Sequence, residues 1–383
     1  MDRPIAVVGG GPVGTALACA LVRHDPVVLV SARAPQAESG PRAYAISPAN
    51  AAFLARIGAW PARATAVHAM RIEGDAGGVL EFDALEAGVA ELAWIVEEAS
   101  LAEALAGALA RSGAALRAPV GLRRLSVEGR AARLEFDDGE AIDAALVVGA
   151  DGADSAVREA SGIGCRAGGY GQAALVLTLG CARAHGAVAR QWFRGGEVIA
   201  LLPLEDDRVS LVWSLATERA QKLHAAGPAH VARELESEIG GALGALEAVS
   251  AAALFPLRRL VAHAMAAPRI ALAGDSAHVI HPLAGQGVNL GLGDAECLAR
   301  VLAAREPGRD AGDYRLLRRY ERARAGDILA MRMTVDALHT LFAAPEAFWR
   351  VLRNLGLGLV DRLAPVKDFL VRRARGSPSC ENC

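Results

Sequence analysis

The chain has 383 residues, 53% hydrophobic and 22% charged, with a formal net charge of -2. That length suits two or three domains around a large buried core, and the balance excludes global disorder and the basic field of a nucleic-acid binder. No apolar stretch reaches the ~18 residues that a membrane helix needs, and nearly every basic residue is arginine, Lys222 and Lys367 being the exceptions.

Residues 4–24, "PIAVVGGGPVGTALACALVRH", predict a strand, a glycine-rich turn and a helix. "IAVV" is a β-branched run, and "VGTALACALV" has helical spacing and good helix formers. "DPVVLVS" follows as a second buried strand, completing a β-α-β unit. With a strand starting so early no secretory signal is expected, and the location expected is cytoplasmic. "SPANAAFLARIGAW" reads as a helix with a Ser-Pro start.

Between about 68 and 96 the pattern shifts to short alternating pieces. "SLAEALAGALARSG" predicts a helix with Ser100 as N-cap, Glu103 at the capping-box position and Gly113 at its end. "ARLEFDDGEAIDAALVVGADG" predicts a hairpin with an Asp-Gly turn and then a strand. From about 170 to 255 strands dominate, interrupted by one helix near 228–248. "RIALAGD" returns to a buried strand, and helices are expected from there to residue 376.

Gly9, Gly11 and Gly14 form G-x-G-x-x-G between a strand and a helix. Gly9 permits the tight turn, Gly11 lets a pyrophosphate approach the backbone, and Gly14 lets helix and strand pack closely. The acidic residue that normally ends the second strand and grips a ribose is replaced by Ser31, which cannot chelate two hydroxyls. "GADGADSAVRE" adds Asp151-Gly152 at a strand end, with Arg158 seven positions after the aspartate. "GDSAHVIHPLAGQGVNLGLGDA", residues 274–295, ends a third strand with Asp275, two histidines and a Gly-rich helix start. A helix start turns unpaired N–H groups toward an anionic ligand. His278 and His281 lack the acidic partner of a zinc motif, and they are read as structural or ligand-contacting. Of six cysteines, Cys19, Cys165, Cys181 and Cys297 look like small core residues. "CENC" at residues 380–383 has C-x-x-C spacing without a second ligand pair. No metal site is expected.

These three motifs, in this order, resemble those of class A FAD-dependent aromatic monooxygenases. "RAYAISPANAAFLARIGAW", "WIVEEASLAEAL", "FRGGEVIALLPLEDDRVSLVWS", "FPLRR" and "GDSAHVIHPLAGQGVNLGLGDAECLARVL" narrow the resemblance to the ubiquinone-biosynthesis hydroxylases, over about residues 4–376. The resemblance implies an α/β fold. A Rossmann-like FAD-binding domain is built from residues 1–67, 97–168 and 256–330. A β-sheet substrate domain is inserted at 68–96 and 169–255, followed by C-terminal helices (331–376) and a tail (377–383).

The implied reaction hydroxylates the ring of a polyprenyl phenol with NAD(P)H and O2, through a flavin hydroperoxide. Gly9, Gly11 and Gly14 would hold the FAD pyrophosphate, and Arg42 would lie along the cofactor. Asp151 and Gly152 would touch FAD and the transient nicotinamide, and Asp275 the ribityl and pyrophosphate region. Gly285, Gln286, Gly287, Val288 and Asn289 would present N–H groups to the flavin ring. No protein nucleophile is implied, since the flavin carries the oxygen.

The family usually has Asn-Arg where this chain has Glu98-Ala99. With Ser31 this removes two grips on FAD, each worth about 1.5–3 kcal/mol at most, so weakened binding is expected. Residues 348–376 carry seven basic residues against Asp361 and Asp368. They read as amphipathic helices packed on the domain or as a contact for a lipid surface or a quinone-biosynthesis complex. The competing reading is a flavin-poor, non-catalytic lipid-binding subunit, which only Ser31 and Ala99 favour. Halogenase and prenyl-reductase readings lack their W-x-W-x-I-P and Y-x-W-x-F-P signatures.

Overall fold

Three of the expected motifs leave neighbouring strands of one parallel sheet at the same edge. A computed structural model describes residues 3–33, 40–75, 77–280 and 287–343. The sheet runs, from one edge to the other, through Ala266–Ala267, Ile270–Leu272, Leu146–Gly149, Ile5–Val8, Val27–Val30 and Ala115–Arg117. All neighbours pair in parallel except the two-residue edge strand. A parallel sheet is covered on both faces, so its strands read as unbroken apolar runs. Ile5, Ala6 and Val7 and the run Leu146, Val147 and Val148 are accordingly at most 1% exposed. Register places Val8 beside Gly149, and Gly149 beside Leu272. Gly9, Ala150 and Ala273 therefore begin three turns side by side, at the carboxyl ends where open α/β sheets bind ligands.

The Gly-rich turn feeds the helix Pro12–Leu21, which packs against the helix Gly287–Ala303. A second, nine-stranded sheet draws its strands from residues 69–83, 165–216, 246–262 and 278–279. Two of them, Cys165–Cys181 and Ala253–Ala262, run across positions 168 and 255 chosen as domain boundaries from the sequence. A small sheet of Ala43–Ile46, Ala93–Glu97 and Thr65–Val67 packs its alanines and Ile95 against Ala189 and Leu202 of the large one.

Most elements lie where the pattern puts them, including the Ser47-capped helix Pro48–Arg56, whose cap accepts from Asn50 N. Two differ. The helix expected to start after Ser100 begins at Glu98, directly off the strand that ends at Glu97. Ser100 Oγ instead donates to Arg63 O at 3.4 Å. The helix expected near 228–248 covers only Pro228–Glu238 and gives way to the strand Leu246–Ala248, and a second, unexpected helix, Thr217–Ala226, precedes it. Gly227, at φ 90°, breaks the run between them, and Pro228 starts the later one. The stretch 348–376 and "CENC" lie outside the described residues.

Candidate cofactor site

The first turn is shaped by steric exclusion. Gly9 has φ 121°, and a side-chain carbon there would lie 2.1 Å from Ala150 O. One on Gly14 would lie 1.9 Å from Gly9 O. Neither position accepts any other residue. Gly11 differs: a carbon there would meet nothing within 4 Å among the described residues. Gly11 is also the N-cap of Pro12–Leu21, and no side chain caps that helix. Its first-turn N–H groups thus face an open cradle suited to an anion.

The second turn carries Asp151. Both oxygens of its carboxylate serve its own loop, accepting from Ser155 Oγ at 2.5 Å and from Val157 N at 3.1 Å. Gly152, at φ 86°, has open space where a side chain would be. Arg158, 9% exposed, ties this turn to the third by donating to Ala153 O and Ser276 O at 2.8 and 2.9 Å.

The third turn, Gly274–Ser276, places Asp275 at the surface of the cleft. Its carboxyl is open to solvent yet hemmed in by protein. That crowding pushes its pKa above the usual carboxylate value against the opposing charges of His278 and Arg42. Beneath it lies a buried array that spacing alone does not reveal. Asp294, 0% exposed, accepts from Gly274 N at 2.9 Å, His278 Nε2 at 2.6 Å and Arg324 Nε at 2.7 Å. Burial alone would raise Asp294, but His278 and Arg324 outweigh it and hold the carboxyl below its ordinary range. His278 thus has an acidic partner sixteen residues on. The available signal was a carboxylate in the apolar run "VNLGLGDAECL", since a buried charge needs a partner. Nothing in the sequence points to Arg324 on the next helix.

The glycines of that run have their own reason. A carbon on Gly291 would lie 2.5 Å from Val13 Cγ2, and one on Gly293 would lie 3.1 Å from Arg324 Nη2. They let the helix Gly287–Ala303 approach the first helix and admit Arg324. A carbon on Gly287 would meet nothing within 4 Å among the described residues, and Val288 follows it in the first turn. Asn289 uses its side chain as a strut. It accepts from Ser47 N and Asn50 Nδ2 at 2.9 and 2.8 Å and donates to Ala45 O at 2.6 Å. Its side chain serves the protein scaffold, and a ligand role for it is one of the backbone N–H. His281, Gly285 and Gln286 lie outside the described residues.

Arg42 reaches the same cleft from another side, just before the strand Ala43–Ile46. Its guanidinium stacks 3.7 Å over the Phe255 ring and lies 3.6 Å from Glu98 Oε1. Ser31, 7% exposed, closes a local turn by donating to Arg33 O at 2.7 Å. A carbon on Gly10 would lie 2.5 Å from Ser31 Oγ, so this hydroxyl abuts the Gly-rich turn where a ribose-gripping carboxylate normally stands.

The residues present fit a flavin dinucleotide. The open cradle at Gly11 suits a diphosphate, and an uncapped helix start and an arginine supply positive charge. The sequence model of the FAD binding domain matches residues 2–333. This chain belongs to the ubiquinone-biosynthesis hydroxylase family of FAD-dependent monooxygenases. It is 36% identical to the ubiquinone hydroxylase of Rhodospirillum rubrum, over 97% of this chain and 89% of that one. It is 37% identical to the 3-demethoxyubiquinol 3-hydroxylase of Escherichia coli, over 97% and 98% respectively. The p-nitrophenol 4-monooxygenase of Pseudomonas putida DLL-E4 shares the fold, with a TM-score of 0.82 at 19% identity and 98% of each chain covered. Like other hydroxylases of this family, the chain is an oxidoreductase that uses FAD, with NAD(P)H as the typical reductant. Among the described residues no helix is long and apolar enough to cross a membrane.

Proposed function

We propose that this hydroxylase adds one oxygen to the aromatic ring of a polyprenyl phenol on the way to ubiquinone, using NAD(P)H and O2. The observation that carries the reading is the convergence of three turns, at Gly9, Ala150 and Ala273, on one edge of the parallel sheet. The chemistry supplied by bound FAD is two-electron reduction by the nicotinamide and transfer of one oxygen atom of O2 to an electron-rich ring.

The protein's own part is binding, orientation and electrostatics. Gly9, Gly11 and Gly14 shape the diphosphate cradle, and the first turn of Pro12–Leu21 supplies N–H donors. Arg42 adds charge along the cofactor. Asp275 accepts from cofactor hydroxyls, and its turn is pinned from below by Asp294. Asp151 and Gly152 shape the neighbouring turn that meets FAD and the nicotinamide. Gly287, Val288 and Asn289, in the first turn of the helix Gly287–Ala303, offer backbone N–H groups to the ring, where a helix start stabilises the negative charge of the reduced state. The basic, apolar stretch 348–376 suits contact with an anionic lipid surface, where a polyprenylated substrate resides.

The test is mass spectrometry of quinone precursors in a strain lacking the gene. The reading expects a prenylated phenol short of one ring hydroxyl to accumulate, and the wild-type gene to clear it. Normal ubiquinone with no such precursor would contradict it.

A further inference from the structure

Arg42 is paired with one carboxylate and feels the charge of another. Its guanidinium lies 3.6 Å from Glu98 Oε1, and its charge is also felt by Asp275 across the cleft. Glu98 is held in place from the other side. The Tyr44 hydroxyl donates to the same Oε1 at 2.6 Å, and Glu98 N donates to Arg42 O at 2.9 Å. The pair is not a buried structural bridge, since the Arg42 and Glu98 side chains are 41% and 26% exposed. At 3.6 Å it is a loose ion pair of the kind that contributes little and exchanges partners readily. Ala99, next in the chain, brings no cation to replace Arg42.

We propose that Glu98 competes with the cofactor's diphosphate for Arg42, so that this chain holds FAD less tightly than the shape of its cradle allows. The proposal rests on the reading that Arg42 lies along the cofactor. One guanidinium cannot pair fully with both anions, and Glu98 places a second negative charge beside a cleft that must admit a dianion. Phe255 supports the flat face of Arg42 whichever partner it has. Tyr44 keeps the carboxylate aimed at Arg42 rather than at solvent.

The experiment titrates flavin-free protein, prepared from the holoenzyme, with FAD and follows quenching of flavin fluorescence. Wild type, E98Q, R42A and the double variant are compared. Glutamine keeps the shape and an acceptor for Tyr44, so the fold is expected to survive. E98Q should bind FAD about fivefold more tightly, the scale of one exposed ion pair. R42A should bind more weakly, and adding E98Q to it should recover little, because the competition then has no object. An E98Q affinity equal to or below wild type, with R42A still weakened, overturns the proposal and assigns Glu98 a supporting role. An unchanged R42A affinity overturns the placement of Arg42 along the cofactor and the proposal with it.

Discussion

Gly14 lies so close to Gly9 that a side-chain carbon on it would stand 1.9 Å from the Gly9 carbonyl oxygen. Gly11, between them, faces open space among the described residues. The same three-glycine pattern therefore contains two different requirements, one of the fold and one of the ligand.

The two separate by mutation. Gly14→Ala should destabilise the flavin-free protein by about 3 kcal/mol or more, since backbone cannot give way as a side chain can. Gly11→Ala should leave its stability within about 1 kcal/mol of wild type, as the helix has no side-chain cap to lose. It should still weaken FAD binding at least tenfold. Chemical denaturation and FAD titration of both variants check this. Equal loss of stability in the two would mean that the cradle is not open.

The Asp294 array predicts a stability effect with a defined pH window. Asn in place of Asp294 leaves the buried Arg324 with the more exposed Asp327 as its remaining carboxylate, which should cost about 3 kcal/mol. The carboxyl of Asp294 is held below its ordinary value in the fold. Its contribution is thus fully present above that ordinary value, about 3.9, and is lost as pH falls through the depressed one. Urea denaturation at pH 8 should show the full gap between wild type and Asp294→Asn. The gap should narrow in strong acid.

Asp275 predicts the opposite sign. Its pKa is raised in the fold, chiefly by the protein crowded around this solvent-facing carboxyl. A raised carboxyl adds stability fully below its ordinary value and loses it as pH rises through the raised one. At pH 7 the charged group is a burden on the flavin-free protein. Asp275→Asn should therefore raise the melting temperature of that form at pH 7, with the gain vanishing near pH 3. The same variant should bind FAD more weakly. A lower melting temperature at pH 7 would show that Asp275 is structural.

How much of this was legible in the sequence follows from what each residue depends on. The Gly-rich turn and its strand and helix are set by local pattern, so Gly9, Gly11 and Gly14 could be read directly. The parallel sheet followed from unbroken apolar runs. Asn289 could be placed at the helix start, but its bonds to Ala45, Ser47 and Asn50 span more than 230 residues, and no spacing encodes them. The Asp294–Arg324 and Arg42–Glu98 pairs are likewise products of tertiary packing. Ser100 carried the right cap chemistry, yet the strand Ala93–Glu97 turned into the helix two residues earlier. Local propensity yields there to the pairing of that strand with Ala43–Ile46.

Ser31 predicts a gain of function. Its hydroxyl is engaged with Arg33 O and abuts Gly10, beside the cradle. Ser31→Glu should tighten FAD binding by about 1–3 kcal/mol through charge-assisted bonds to the ribose. Part of that gain is offset by loss of the serine turn. Isothermal titration of flavin-free wild type and variant measures it. An unchanged or weaker dissociation constant would place the ribose grip elsewhere in the chain.

The central claim is hydroxylation of a prenylated phenol by an FAD enzyme, and isotope labelling tests it most directly. Purified holoenzyme is incubated with NADH or NADPH, 18O-labelled O2 and a short-chain polyprenyl phenol, and the product is weighed by mass spectrometry. The account predicts one added oxygen on the ring, carrying the 18O label, and no product without FAD. Nicotinamide oxidation that yields only hydrogen peroxide with every such phenol, or a product oxygen drawn from water, would contradict it.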